Sequence, residues 1–213
     1  MSTLRNIGRG GLALLAAAGV LAAGALGAQA MEPVKGEKDA IKACDRRLCT
    51  LLTQKNPKGE DLKCALTKTW ARSKIKEAES SKLTWGYGDA RCSVDIALSR
   101  AAILRAMAAD EKKFFAPPHT AHCVVESGGK LEKVTAKLAP RITFKDGRAE
   151  KIWINLKSVE GPAAIKATLY TAAELADRLG LFHRRMVRSV NRYIERHCPK
   201  AFPEIAARSK SSK

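Results

Sequence analysis

Six cysteines constrain this chain more than any other feature of its sequence. All of them follow an N-terminal segment that is typical of a secretory signal: Cys44, Cys49, Cys64, Cys92, Cys123 and Cys198. An even number of cysteines in an exported chain favours disulfide bonds, here up to three drawn from fifteen pairings. The chain has no C-x2-C pair of the kind that binds zinc, so we expect no metal.

Residues 1–30 predict a signal peptide. Arg5 and Arg9 supply a positive start, residues 11–27 form an uncharged apolar run, and a small-residue pattern ends at Ala30. A membrane anchor is the alternative, but this run is short for a bilayer span and is dominated by Ala and Gly. We therefore expect cleavage after Ala30 and a mature chain of 183 residues, exported to the periplasm or the extracellular space.

The charge of the chain is strongly positive, with 39 Lys and Arg against 21 Asp and Glu. Loss of Arg5 and Arg9 with the signal peptide leaves a net charge of +16. Such a surface attracts polyanions and favours solubility. For an exported protein the candidate partners are anionic lipid headgroups, acidic envelope polysaccharide, extracytoplasmic nucleic acid or an acidic protein.

Hydrophobic spacing divides residues 31–207, which we expect to form one domain, into helical ends and a strand-rich middle. Residues 38–54 carry apolar side chains at three- and four-residue steps, which predicts a helix. Alternation predicts strands from Leu62, over residues 92–98 and over 120–126. The Ala-rich stretch 100–109 fits either a strand extension or a short helix. The Ser-rich basic tail, residues 208–213, is expected to be disordered.

A β-hairpin is predicted around Asp146-Gly147. Residues 134–144 form one long alternating strand with Pro140 inside it, and a second strand follows at residues 152–156. A three-residue loop, residues 145–147 with a left-handed Gly147, would pair Phe144 with Arg148 and gather the apolar residues on one face. We therefore predict that loop rather than a two-residue turn.

The C-terminal region returns to helical spacing after residues 161–162, and either one helix or two helices joined at Gly180 would fit it. Helix, strands and helices in this order predict an α+β fold: an antiparallel sheet of about four to five strands packed against N- and C-terminal helices. The expected disulfides are Cys92–Cys123, Cys49–Cys64 and Cys44–Cys198. Exchanging Cys44 with Cys49 is a nearly equivalent alternative.

Nothing in the sequence identifies a catalytic site. His119 and His122 form the one close histidine pair, but a three-residue step on a strand points them to opposite faces, and the prolines before them favour a loop at His119. The chain has no nucleophile elbow and no phosphate-binding glycine loop, so no cofactor is expected. A small enzyme with a site near residues 117–122 stays an alternative.

An arginine stripe is the sharpest functional feature. Arg184, Arg188, Arg192 and Arg196 recur every four residues along the predicted C-terminal helix, with Arg178 and Arg185 close by. Guanidinium groups suit phosphate and carboxylate, whereas a solvated helix face is the structural alternative. Few aromatic residues are present, so specific nucleic-acid readout is not expected.

The leading functional hypothesis is therefore a non-catalytic, exported basic binding protein. Its arginine stripe would contact an anionic envelope component or an acidic protein partner. A small-ligand carrier with an apolar cavity between sheet and helices is a further alternative.

Overall fold

The computed structural model describes residues 30–56, 58–77, 84–178, 180, 183–205 and 207. The expected signal peptide, apart from Ala30, and the expected basic tail lie outside these residues. The helices are α1 (Glu37–Gln54), α2 (Arg72–Glu77), α3 (Arg100–Ala108), α4 (Ala163–Asp177), α5 (His183–Arg192) and α6 (Cys198–Ala201), with a π-helical turn (Tyr193–His197) between the last two. The strands are β1 (Leu62–Trp70), β2 (Ala90–Leu98), β3 (Glu111–Phe115), β4 (His119–Ser127), β5 (Lys130–Leu138), β6 (Arg141–Lys145), β7 (Arg148–Trp153) and β8 (Leu156–Glu160).

The larger sheet has five antiparallel strands in the order β1-β2-β4-β5-β8. Its centre is the pairing of β2 with β4, in which Cys92 lies directly opposite Cys123. A tight turn at Gly128-Gly129, both with positive φ, joins β4 to β5. The predicted disulfide-stabilised α+β fold is confirmed, with strands over the predicted segments.

A second sheet of three strands, β3-β6-β7, is separate from the first. The long strand predicted over residues 134–144 is therefore two strands in two sheets, with a break at Ala139-Pro140. Because proline cannot donate to a sheet ladder, it terminates pairing there. The Pro140 carbonyl instead accepts a hydrogen bond from the Ala116 amide at 2.9 Å, which ties the break to the end of β3.

The predicted three-residue hairpin loop is wrong. Lys145 pairs with Arg148 and Phe144 with Ala149, so the turn is the two residues Asp146-Gly147. Both have positive φ, 49° and 76°, as a type I′ turn requires, and the predicted left-handed Gly147 is confirmed. A bulge then leaves Glu150 unpaired and brings Ile142 opposite Ile152. The bulge, rather than a longer loop, gathers the apolar side chains on one face.

The apolar core has two parts. The larger cluster joins α1, α3, the three-stranded sheet and the C-terminal helices, with Leu51, Leu104, Phe144 and Phe202 among its buried members. The smaller cluster lies between the five-stranded sheet and α4 and includes Ile165. The terminal helices thus cover sheet faces, as the order of elements predicted.

The helices decide between two alternatives that the hydrophobic spacing left open. The Ala-rich stretch is a helix, α3, whose first turn is capped by Ser99 accepting from the Ala102 amide at 3.3 Å. The C-terminal helical spacing is divided at Gly180 rather than continuous, since α4 ends at Asp177, α5 begins at His183 and Gly180 has a left-handed φ of 62°. No described helix has both the length and the apolar character needed to cross a bilayer.

All six cysteines are paired, as predicted, but the preferred connectivity is only partly right. Cys92–Cys123 is confirmed. The other bonds are Cys44–Cys64 and Cys49–Cys198, the alternative with the two α1 cysteines exchanged. Helix α1 contacts both β1 and α6, and the two bonds show that β1 meets it at Cys44 and α6 meets it at Cys49.

Candidate anion-binding site

The arginine stripe lies along α5 and the π-helical turn that continues it. In an α-helix, four residues advance about 40° beyond a full turn, so Arg184, Arg188 and Arg192 drift around the axis. The wider π turn contains more residues per turn, and each residue there rotates less. Arg196 lies in this turn, which returns it toward the face that Arg184 and Arg188 occupy.

Helix α5 packs along β7, the edge strand of the three-stranded sheet. The side-chain amide of Asn191 accepts from the Ala149 N–H at 2.8 Å and donates to the Ala149 carbonyl at 2.9 Å. Ala149 lies opposite Phe144 in a non-hydrogen-bonded pair of the β6–β7 hairpin. Its N–H and carbonyl therefore point away from β6, toward α5. The ring of His183 also lies 3.0 Å from the Glu150 carbonyl oxygen. These contacts satisfy the exposed edge of the sheet and fix the helix on it.

A cleft of about 510 Å³ lies between α5 and β7. Five arginines and two glutamates give its lining a net charge of +3. The lining residues are Arg148, Glu150, His183, Arg184, Val187, Arg188, Asn191, Arg192, Glu195 and Arg196. The four arginines of the predicted stripe therefore share one cleft.

Most of this positive charge has no counter-ion. Arg148 forms an ion pair with Glu195 across the cleft. Within the part of the chain that the structure describes, Arg184, Arg188, Arg192 and Arg196 form no ion pair and no side-chain hydrogen bond. The cleft thus presents four guanidinium groups with their donors available to a ligand.

A polar cluster fixes the far side of the same helical segment onto α1. Asp45 of α1 accepts a hydrogen bond from the Tyr193 hydroxyl, and its other oxygen lies 2.7 Å from His197 Nε2. Burial, together with the hydrogen bond to Asp45 and the charge of that residue, raises the pKa of Tyr193 far above its ordinary value. Tyr193 is therefore a neutral donor, and the Cys49–Cys198 disulfide reinforces the same junction.

The cleft contains one arginine beyond the predicted stripe and lacks the two that were predicted close to it. Arg148 was missed because it lies on β7 and reaches the cleft only through the docking of α5. Arg178 and Arg185, which were predicted to lie close to the stripe, do not line the cleft. Arg178 instead pairs with Glu174 at 3.0 Å on the exposed surface of α4.

The alternative site near residues 117–122 has ordinary structural contacts. His119 is the first residue of β4 rather than a loop residue, and its Nε2 accepts from the Ala97 amide at 3.0 Å. His122 Nδ1 lies 3.4 Å from the Thr135 hydroxyl of β5. No group of three metal-binding side chains is present among the described residues.

The fold and the cleft define a disulfide-stabilised α+β protein with an arginine-lined surface site. Comparison with protein-family models, with curated proteins and with solved structures finds no match for this chain. A function for this chain is therefore inferred from the residues of the cleft.

Proposed function

We propose that this chain is an exported binding protein whose arginine cleft holds the phosphate or carboxylate groups of an anionic envelope component or of an acidic partner. The observation that carries the proposal is that Arg184, Arg188, Arg192 and Arg196 line one cleft and form no ion pair with any residue that the structure describes. Planar guanidinium forks match the geometry of carboxylate and phosphate oxygens. Three disulfides are compatible with the expected export.

The placement of these charges is unfavourable for α5 alone, which supports a ligand role. Within α5 the two i,i+4 pairs Arg184/Arg188 and Arg188/Arg192 each destabilise the helix by about 0.2–0.5 kcal/mol. The first turn of α5 contains no acidic residue, and Arg184 lies at the end where positive charge opposes the helix dipole. An anion bridging the arginines would remove both penalties.

Binding to anionic vesicles tests the proposal. Wild-type protein should bind vesicles containing phosphatidylglycerol and not neutral phosphatidylcholine vesicles, and salt should weaken the binding because exposed charges are screened. Changing Arg184, Arg188, Arg192 and Arg196 to Gln should weaken binding about 1,000-fold, since each basic residue near an anionic bilayer surface contributes about 1 kcal/mol.

A matched control separates the cleft from net charge. Lys112, Lys133, Lys137 and Lys157 are exposed and lie outside the cleft, so changing them to Gln removes the same charge elsewhere. This variant should keep most of the affinity. Equal losses in both variants, or no salt-sensitive binding by the wild type to vesicles or to an acidic polysaccharide, would contradict a localised site.

A second candidate function rests on a different observation. An apolar cavity of about 340 Å³ lies between α1, α3, the three-stranded sheet and the opposite face of α5, with Leu52, Phe144 and Val190 in its lining. This volume is within the range of small-molecule sites. A carrier should bind a neutral apolar dye, and Val190→Phe should abolish the signal while the arginine variant retains it. Unchanged dye binding by Val190→Phe would exclude this cavity.

A further inference from the structure

The carboxylate of Asp89 is a buried negative charge immediately before β2. Asp89 is 7% exposed. Its Oδ1 accepts from the Arg72 backbone amide at 2.8 Å, and its Oδ2 accepts from the Met31 backbone nitrogen at 2.6 Å. Both donors are neutral amides. Among the described residues, no lysine or arginine side chain forms an ion pair with this carboxylate, although a buried charge is costly unless it is paired.

The surroundings of Asp89 add negative charge rather than a counter-ion. The Glu126 carboxylate of β4 lies 3.3 Å from the Asp89 amide nitrogen, and the Glu126 amide donates to the Asp89 carbonyl at 2.9 Å. The nearby cation, Arg91 of β2, donates instead to the Glu32 carbonyl and to the Thr69 hydroxyl. The site therefore lacks one positive charge.

The peptide bond that we expect to be cleaved on export joins Ala30 to the backbone nitrogen of Met31, the atom that donates to Asp89. Ala28-Gln29-Ala30 carries small residues at the positions that a signal peptidase reads, and the next residue is Met31. Resting on the proposed export, we infer that cleavage after Ala30 supplies the missing counter-ion: the new α-ammonium of Met31 forms a partly buried ion pair with Asp89. Water adds across the peptide bond, Ala30 leaves with the new carboxylate, and the Met31 amine takes a proton from solvent.

The segment that begins at Met31 is fixed from both sides. Arg91 binds the Glu32 carbonyl, and the Glu37 amide donates to the Val34 carbonyl at 3.0 Å. Glu37 is in turn anchored to Thr69 of β1. Because residues 31–37 are held against the ends of β1 and β2, the α-ammonium reaches Asp89 without ordering a free chain end. Signal cleavage then both releases the chain and creates the positive charge that neutralises the Asp89 carboxylate.

The test compares two chain starts in two backgrounds. Both proteins are released from a fusion. A chain that begins at Met31 places its α-ammonium against the Asp89 carboxylate, whereas a chain that begins at Ala30 places it one residue away. With Asp89 present, the Met31 start should raise the thermal midpoint by about 3 °C. In Asp89→Asn the two starts should have the same midpoint. No difference with Asp89, or an equal difference in both backgrounds, overturns the inference.

A second readout uses the unmutated protein, in case Asp89→Asn fails to fold. The α-amine of the Met31 start should react several-fold more slowly with an amine-reactive ester than the α-amine of the Ala30 start, as measured by peptide mapping. Equal rates overturn the inference. Neither measurement involves export or the arginine cleft. N-terminal sequencing of the exported protein must give Met31, and a different mature N-terminus also overturns the inference, whereas failure of export itself contradicts the proposed function.

Discussion

Glu37, the first residue of α1, has a carboxylate buried beneath the end of β1. It is 4% exposed and accepts hydrogen bonds from the Thr69 amide at 2.9 Å and the Thr69 hydroxyl at 2.8 Å, with Lys68 Nζ at 3.4 Å. Burial alone would raise the pKa of Glu37, but these donors hold it below its ordinary value of 4.5. The ionised carboxylate therefore stabilises the fold.

The direction of this pKa shift fixes the pH dependence of stability. A carboxyl whose folded pKa is depressed stabilises the protein above its unfolded pKa and loses that contribution as pH falls through the folded pKa. We expect Glu37→Gln to lower the free energy of unfolding by about 2 kcal/mol at neutral pH, with the difference from wild type shrinking below pH 4.5. Urea unfolding across pH measures this, with exposed Glu111→Gln as control. A pH-independent difference would contradict it.

At the scale of elements, Asn191 makes two of the hydrogen bonds that dock α5 on the edge strand β7. Asn191→Leu preserves approximate side-chain size but leaves the Ala149 N–H and carbonyl without partners. An unsatisfied buried group costs about 1–3 kcal/mol, so we expect a loss of about 2 kcal/mol in unfolding free energy and faster hydrogen exchange at the Ala149 amide. The exposed neighbour Ser189→Ala is the control. Unchanged exchange at Ala149 would show that the clamp does not hold this edge.

Elements with strong periodicity were predictable, and elements set by tertiary context were not. Residues 38–54 and 92–98 have unambiguous spacing and form α1 and β2. The five-residue strand β3 is too short and too charged to give a pattern, and α3 is too rich in Ala to show a polar face. The predicted length of the hairpin loop was wrong because the alternation of apolar residues does not reveal the bulge at Glu150. That bulge shifts the register by one residue after a two-residue turn.

In the candidate site, too, the residues on one periodic element were predictable and the residue placed by tertiary contacts was not. Four of its arginines lie on one continuous helical segment, so their shared face could be read from a four-residue spacing. Arg148 reaches the cleft only because Asn191 attaches α5 to β7, a contact between residues 42 positions apart. The sequence alone does not show that α5 docks on β7, so it could not show that Arg148 lines the cleft and that Arg178 and Arg185 do not.

The disulfides organise the whole molecule by joining its two ends. Cys44 and Cys49 lie five residues apart on α1, about one and a half helical turns, so their spacing cannot decide which one faces β1. The choice depends on where the C-terminal helices meet α1. The Cys49–Cys198 bond closes 149 residues, whereas Cys44–Cys64 closes 20 and Cys92–Cys123 closes 31.

Removing each bond should therefore have a different effect. In the chain-entropy relation, replacing Cys49 and Cys198 with Ala lowers the free energy of unfolding by about 5 kcal/mol, against about 3–4 kcal/mol for Cys92 and Cys123. Only the first bond secures the segment that carries the cleft arginines, so we expect only its loss to weaken anion binding. Denaturant titration and vesicle binding measure the two effects. A Cys92/Cys123 variant that lost as much affinity as the Cys49/Cys198 variant would contradict this coupling, because its bond lies within the five-stranded sheet, outside the cleft.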